Sequence, residues 1–147
     1  MIKHRVAVLH GVNLDQLGVR DPAVYGSRTL TELELQIKHW AQEIGLDTQF
    51  DQTNHEGEFC ETLHELRTTV DGLILNPGAW THYSYAIRDA IEVTGLPAVE
   101  VHISNIEGRE AWRSHSVIRD VVIGHVHGKG ADGYRDALQM LKEALST

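Results

Sequence analysis

Several short stretches of the chain carry side chains able to move protons or hold an anion. Glu100, His102 and Ser104 alternate with Val99, Val101 and Ile103, so an extended backbone places the three polar groups on one side. A carboxylate bonded to one nitrogen of an imidazole fixes its tautomer and raises the proton affinity of the other nitrogen, which suits a general acid or base near neutral pH. A rim histidine with structural hydrogen bonds is the ordinary alternative. The stretch from Leu17 to Ser27 holds Arg20 and Tyr25 and exceeds the ~2–6 residues of a usual strand-to-helix connection, as lids often do. A free phenol has a pKa near ~10 and is a poor base at neutral pH. One guanidinium at ~4 Å, with an effective dielectric of ~20, contributes ~4 kcal/mol, or about three pKa units, against some desolvation. An arginine-activated tyrosinate is therefore accessible without a metal; an exposed loop with Tyr25 packed on the body is the bland alternative. Asn76 to His82 follows an apolar run and precedes a helix expected from about Tyr83, a place where backbone amides favour an anion. Asn76 and His82 can hold a hydroxyl-rich carboxylate there, or form only a turn and cap. Arg109 and Arg113, four apart, can clamp a carboxylate or lie solvated beside Glu110. The ten histidines include His125 and His127, but neither H-E-x-x-H spacing nor a clustered ligand set appears, so no metal is expected.

These groups need a scaffold that gathers them. Apolar runs at Val6–Leu9, Leu46–Phe50, Gly72–Leu75, Ala98–Val101 and Val121–Val126 read as strands. Between them, Leu30, Leu33, Ile37, Trp40 and Ile44 recur at helical spacing, as do Leu63, Leu66 and Val70, then Ile87, Ala90 and Ile91. The final helix carries Tyr134, Ala137, Leu138, Leu141 and Leu145 as one apolar stripe. Thr29 with Glu32 reads as a capping box, and Gly45 and Gly95 close helices. Five alternating units predict an α/β protein: a flavodoxin-like, doubly wound five-stranded parallel sheet in three α/β/α layers, with residues 1–147 as one domain. In such sheets ligands bind beyond the carboxyl ends of the strands, which is where His10-Gly-Val-Asn13, Asn76-Pro-Gly-Ala79 and Glu100 to Asn105 fall.

Composition narrows the function class. Thirteen basic against 21 acidic side chains give a net charge of -8, with no dense basic cluster to neutralise a phosphate backbone, so nucleic acid is not an expected partner. A single cysteine, Cys60, offers neither a disulfide framework nor a thiolate zinc site and fits a reducing compartment. No apolar run approaches the ~18 residues of a membrane span, and Met1 to Arg5 does not begin a signal peptide, so a cytoplasmic location is expected.

Read in order, Asn13, Arg20-Asp-Pro-x-x-Tyr25-Gly, Asn54-His-Glu-Gly-Glu58, Asn76-Pro-Gly-Ala-x-Thr-His82, Ala86-Ile-Arg-Asp-Ala90, Glu100-Val-His-Ile-Ser-Asn105 and Arg109-Glu-x-x-Arg113-x-His-Ser116 form a set. With Gly128-x-Gly-Ala-x-Gly-Tyr-Arg135 it resembles type II 3-dehydroquinate dehydratase nearly end to end. The resemblance implies cofactor-free, reversible loss of water from 3-dehydroquinate to give 3-dehydroshikimate through an enolate, in the shikimate pathway or in quinate catabolism. It implies Tyr25 as the base, Arg20 holding it as tyrosinate, and His102, paired with Glu100, as the acid that protonates the departing C1 hydroxyl. Asn13 would bind a water that stabilises the enolate oxygen. Asn76, His82, Ile103 with Ser104, and Arg113 would hold the hydroxyls and carboxylate, with Arg109 supporting the site. Asp89 would reach an active site across a trimer interface, and four trimers would form a homododecamer.

Several positions depart from the family pattern. His10-Gly-Val-Asn13 replaces the usual Asn-Gly-Pro-Asn, Asp15 and Gln16 replace Asn and Leu, Trp80 replaces a common tyrosine and Tyr83 a threonine, and Lys129 and Asp132 alter the last glycine-rich turn. Trp80 and Tyr83 neighbour expected substrate ligands, which leaves room for a different pocket size and affinity with the named catalytic groups kept; the effect of Val12, Trp80 and Tyr83 on the pocket is open at this point. Two alternatives accompany the enzyme reading: a paralogous dehydratase of a related cyclic hydroxy keto acid, and a non-catalytic flavodoxin-like module. A phosphoacceptor receiver would want acids where His10 and Asn76 stand.

Overall fold

The inner strands are continuously apolar because both of their faces are covered. A computed structural model of the chain describes residues 3–19, 21–105 and 109–146. The strands are β1 (Arg5–His10), β2 (Asp47–Gln52), β3 (Gly72–Asn76), β4 (Ala98–His102) and β5 (Gly124–His127), all parallel in the order β2-β1-β3-β4-β5. The helices are the short α1 (Pro22–Tyr25), then α2 (Leu30–Glu43), α3 (Glu56–Leu66), α4 (Tyr85–Thr94) and α5 (Asp132–Leu145). Val6, Val8, Ile74, Val99 and Val101 pack with Leu33 and Ile37 of α2 and Ala137, Leu138 and Leu141 of α5. Ala7, Leu9, Leu73, Leu75 and Ala98 pack with Phe59 and Leu63 of α3 and Ile87, Ala90 and Ile91 of α4. The period of two along β1, β3 and β4 thus fills two cores, and the sheet is the middle of three layers.

The expected capping box is formed: the Glu32 amide donates to Thr29 Oγ1 at 3.2 Å and the Thr29 amide to Glu32 Oε1 at 3.3 Å. Three boundaries differ from the sequence reading. Val121 lies in a 3-10 turn, Arg119–Val121, and pairing of β5 starts only at Gly124, opposite Val99. Val121 and Val122 are apolar because they pack on the core under α3 and α4, not because they join the ladder. Val70 follows α3, its amide bonded to the Leu66 carbonyl at 3.2 Å, and is buried without being helical. Gly78–His82 forms a 3-10 turn and α4 begins at Tyr85, with Ser84 Oγ accepting from the Ile87 amide at 3.1 Å.

The core holds a titratable phenol. Tyr134 is fully buried, and burial pushes its phenol up to about 12, against a hydrogen bond from Asn76 and with the Glu34 charge adding to the rise. A folded value above the ordinary ~10 means the neutral phenol stabilises the fold fully below that pH, and the contribution is lost as pH rises towards 12. A shift of this size is worth about 3 kcal/mol. Thermal melts between about pH 9 and 12 should therefore fall more steeply for the natural chain than for Tyr134→Phe. Parallel slopes would contradict this.

Candidate active site

The carboxyl ends of β1, β3 and β4 are adjacent, and two glycines let their loops approach. Gly11 donates its amide to the Asn76 carbonyl at 2.7 Å, and a Cβ on it would lie 2.3 Å from the Pro77 oxygen. Gly78, at φ 67, would place a Cβ 2.7 Å from the Val12 oxygen. Side chains at these positions would force the first and third loops apart.

One cavity results, and most of the expected site residues line it. From β1 and its following loop come Asn13 and, on α1, Tyr25; from the end of β3 and its turn come Asn76 and His82. The end of β4 supplies His102, Ile103 and Ser104, and the segment after it supplies Arg109 and Arg113. Glu100 stands behind His102 and is wholly buried. Arg20 lies outside the described residues. Asp89 is exposed on α4 and is not part of this cavity.

Glu100 Oε2 sits 2.6 Å from His102 Nε2, as the i, i+2 spacing on an extended strand predicts. Thr81 Oγ1 donates to the same oxygen at 2.5 Å, and Ser116 Oγ reaches both carboxylate oxygens at 3.0 and 2.9 Å. Burial alone would push Glu100 up; the bond and charge of His102, with the two hydroxyls, outweigh it and hold the carboxyl below the ordinary glutamate range. The carboxylate can only accept, so Nε2 carries hydrogen and Nδ1 is the nitrogen left for the cavity.

His82 is set differently. Its Nδ1 lies 2.6 Å from the His115 carbonyl oxygen, which also can only accept, so Nδ1 carries the hydrogen. Burial lowers the pKa of the ring, the charges of His102 and Arg113 add to this, and the bond to His115 opposes it without reversing it. A neutral His82 then offers Nε2 as an acceptor, suited to a ligand hydroxyl. Asn76 uses one amide hydrogen on Tyr134 Oη at 3.3 Å and one lone pair on the Gly78 amide at 3.1 Å, keeping one donor and one acceptor for the cavity.

Tyr25 belongs to a helical turn capped by Asp21, whose carboxylate accepts from the Ala23 amide at 3.0 Å, and ended by Gly26 at φ 78. Arg109 Nη1 donates to Tyr25 Oη at 2.7 Å and lies 3.4 Å from Ser104 Oγ. Arg109, expected only to support the site, thus places a guanidinium on the phenol; Arg20, expected there, lies outside the described residues. Arg113 is held by Glu110, Nε to Oε2 2.5 Å, and its guanidinium carbon lies 4.2 Å from the Trp112 ring centre. Two cations at the rim raise the local concentration of an anionic ligand.

Reading by motif left Thr81, Ser116 and Trp112 without roles. The first two stand inside the ordered motifs but meet Glu100 only through the fold; Trp112 also contacts His82, with ring centres 5.1 Å apart. Of Val12, Trp80 and Tyr83, whose effect on the pocket the sequence left open, one reaches it. Trp80 turns into the core against Phe59, with ring centres 5.6 Å apart, and Tyr83 is exposed; neither lines the cavity, whereas Val12 does. Among the described residues no three His, Cys, Asp or Glu side chains converge as metal ligands, and no helix is long and apolar enough to cross a membrane.

The chain was compared with known proteins. It is 50% identical to 3-dehydroquinate dehydratase of Bacillus pumilus over 91% of each chain, and 49% identical to that of Thermotoga neapolitana over 97% of each. The crystal structure of type II dehydroquinase from Butyrivibrio crossotus superposes with a TM-score of 0.92 at 38% identity, covering 95% of this chain and 97% of the other. The family model described as dehydroquinase class II matches residues 4–142, and by that match and these identities the chain belongs to the class II dehydroquinase family.

Proposed function

We propose that the chain is a hydro-lyase catalysing the reversible dehydration of 3-dehydroquinate to 3-dehydroshikimate in the shikimate pathway; the same reaction serves quinate catabolism. The relatives named above support the substrate. The observation that carries the mechanism is the placing of an arginine-bound phenol and a carboxylate-bound imidazole on one cavity. Tyr25, as tyrosinate, takes the proton from the carbon beside the ketone, and the electron pair moves onto the carbonyl oxygen as an enolate. Arg20, to which the resemblance gives the task, and Arg109, which donates to the phenol oxygen, compensate the phenolate charge in this reading. Asn13 stabilises the enolate oxygen through a water. The enolate then reforms the carbonyl, its electron pair makes the new carbon-carbon double bond, and the C1 hydroxyl leaves as water with a proton from His102. Glu100 balances the imidazolium charge that the step requires. Neutral His82 and the two remaining valences of Asn76 hold hydroxyls; Ile103 with Ser104, and Arg113, hold the carboxylate end. No cofactor enters this scheme.

The subunit is taken as a single catalytic domain over residues 1–147. Asp89, outside its own subunit's cavity, acts at a neighbour's site in this reading, so a trimer is the smallest complete unit and four trimers make a dodecamer. The test is the ultraviolet rise of the conjugated product when the purified chain meets 3-dehydroquinate in excess chelator. Turnover unchanged by the chelator is expected; none with this substrate would sink the proposal. Sedimentation should show an assembly built of trimers, with Asp89→Ala impaired in turnover at an unchanged melting temperature. An active monomer would remove the cross-subunit role.

A further inference from the structure

The Asn54 to Glu58 segment has no part in the reaction as written, yet it grips the loop that carries Asn13. Asn13 is the only non-glycine residue with positive φ among the described residues, at φ 69. An L-residue in this region needs its surroundings to hold it there. The hold comes from 41 positions away: the Asn13 amide donates to Asn54 Oδ1 at 2.8 Å. Gln52 Nε2 donates to the same oxygen at 3.1 Å and to the Gly11 carbonyl at 3.2 Å. On its other side, Asn54 Nδ2 donates to Asp15 Oδ2 at 3.1 Å, and Gln16 Nε2 lies 3.3 Å from that oxygen. Donors surround the Asn54 oxygen and a carboxylate faces its nitrogen, so the amide has one orientation that satisfies all partners. The segment is itself pinned, with Thr53 Oγ1 donating to Glu58 Oε2 at 2.5 Å and accepting from the His55 amide at 3.0 Å. The β1–β2 ladder ends at the His10 and Gln52 pair, and the Thr53 amide adds one more bond to the His10 carbonyl at 3.1 Å. Side chains continue the stitching where backbone pairing stops. Asp15 and Gln16, two of the positions departing from the family pattern, are members of this clamp.

We propose that Asn54 is a positioning residue for the dehydration. It fixes the left-handed turn at Asn13 and so aims the Asn13 side chain at the water that stabilises the enolate oxygen, while Asp15 holds Asn54 in register. The inference rests on the reaction proposed above and on the role of Asn13 in it. A donor displaced by a fraction of an ångström loses most of its value to a charge that develops only during reaction, while substrate binding is largely unaffected.

Four proteins test it: the natural chain, Asn54→Ala, Asn13→Ala and the double variant. Asn54→Ala should lower kcat about 10- to 100-fold with KM changed less than about threefold, and its melting temperature should stay close to that of the natural chain. Because Asn54 acts through Asn13, the double variant should be no slower than Asn13→Ala alone. A second pair reads polarity. Asn54→Asp sets two carboxylates against each other and should slow turnover, and adding Asp15→Asn restores a donor facing an acceptor and should bring kcat to within about threefold of the natural chain. Turnover by Asn54→Ala at the natural rate, losses that multiply in the double variant, or no rescue by Asp15→Asn would each overturn the clamp. If the natural chain fails to dehydrate 3-dehydroquinate, the reaction itself falls and this inference with it. A working natural chain with an insensitive Asn54→Ala overturns the clamp alone.

Discussion

Tyr25→Phe should lower kcat for dehydration of 3-dehydroquinate by at least ~10³-fold while KM moves less than about threefold. Phenylalanine keeps the ring that packs against the core under α2 and α5, and removes only the hydroxyl to which Arg109 donates at 2.7 Å. The groups proposed to hold the ligand, Asn76, His82, Ser104 and Arg113, stay where they are. What is lost is the proton acceptor, an interaction made only as the carbon-hydrogen bond breaks, and such losses appear in kcat. Steady-state kinetics with calorimetric binding of the substrate separates the two quantities. A variant that turns over within about tenfold of the natural chain would remove Tyr25 as the base.

Glu100→Gln should reduce kcat by ~10²- to 10³-fold with the fold retained. The new side chain has the same shape, so its packing in the buried site is kept. Its amide nitrogen, however, faces one of three groups that the carboxylate satisfies together, and Thr81 or Ser116 must rotate to accept. More important, the imidazolium that would deliver the proton in the proposed reaction would lack its counter-charge in a buried place, where that charge matters most. Stability moves as well. The folded carboxyl lies below its ordinary value, so its contribution is full above the carboxylate range and is lost as pH drops through the folded value. Glu100→Gln lacks that component, and its melting temperature should depend less on pH in acid. Natural turnover in the variant would show that His102 needs no carboxylate.

Arg109 shows why an active site is only partly legible from a chain. Arg20, the arginine expected beside Tyr25, lies outside the described residues, whereas Arg109, which donates to the phenol oxygen, comes from 84 positions further along. A turn-forming loop can be recognised from Gly and Pro spacing, but which guanidinium reaches its phenol depends on how the segment after β4 folds back over α1. Trp80 makes the same point in the opposite sense. Its sequence neighbours, Asn76 and His82, line the cavity, yet the 3-10 turn rotates the indole into the core against Phe59.

The sequence by itself determined the alternation of strands and helices, the α2 cap and the Glu100–His102 pair, because each rests on periods of two or 3.6 residues and on contacts within a few positions. Sheet order followed from those units only as a class. Tertiary structure decided which loops share a rim, that Arg109 meets Tyr25, that Thr81 and Ser116 close around Glu100, and that Asn54 holds Asn13. Those contacts join residues 16 to 84 positions apart. Their geometry exists only once parallel pairing sets β1, β3 and β4 side by side with their carboxyl ends together.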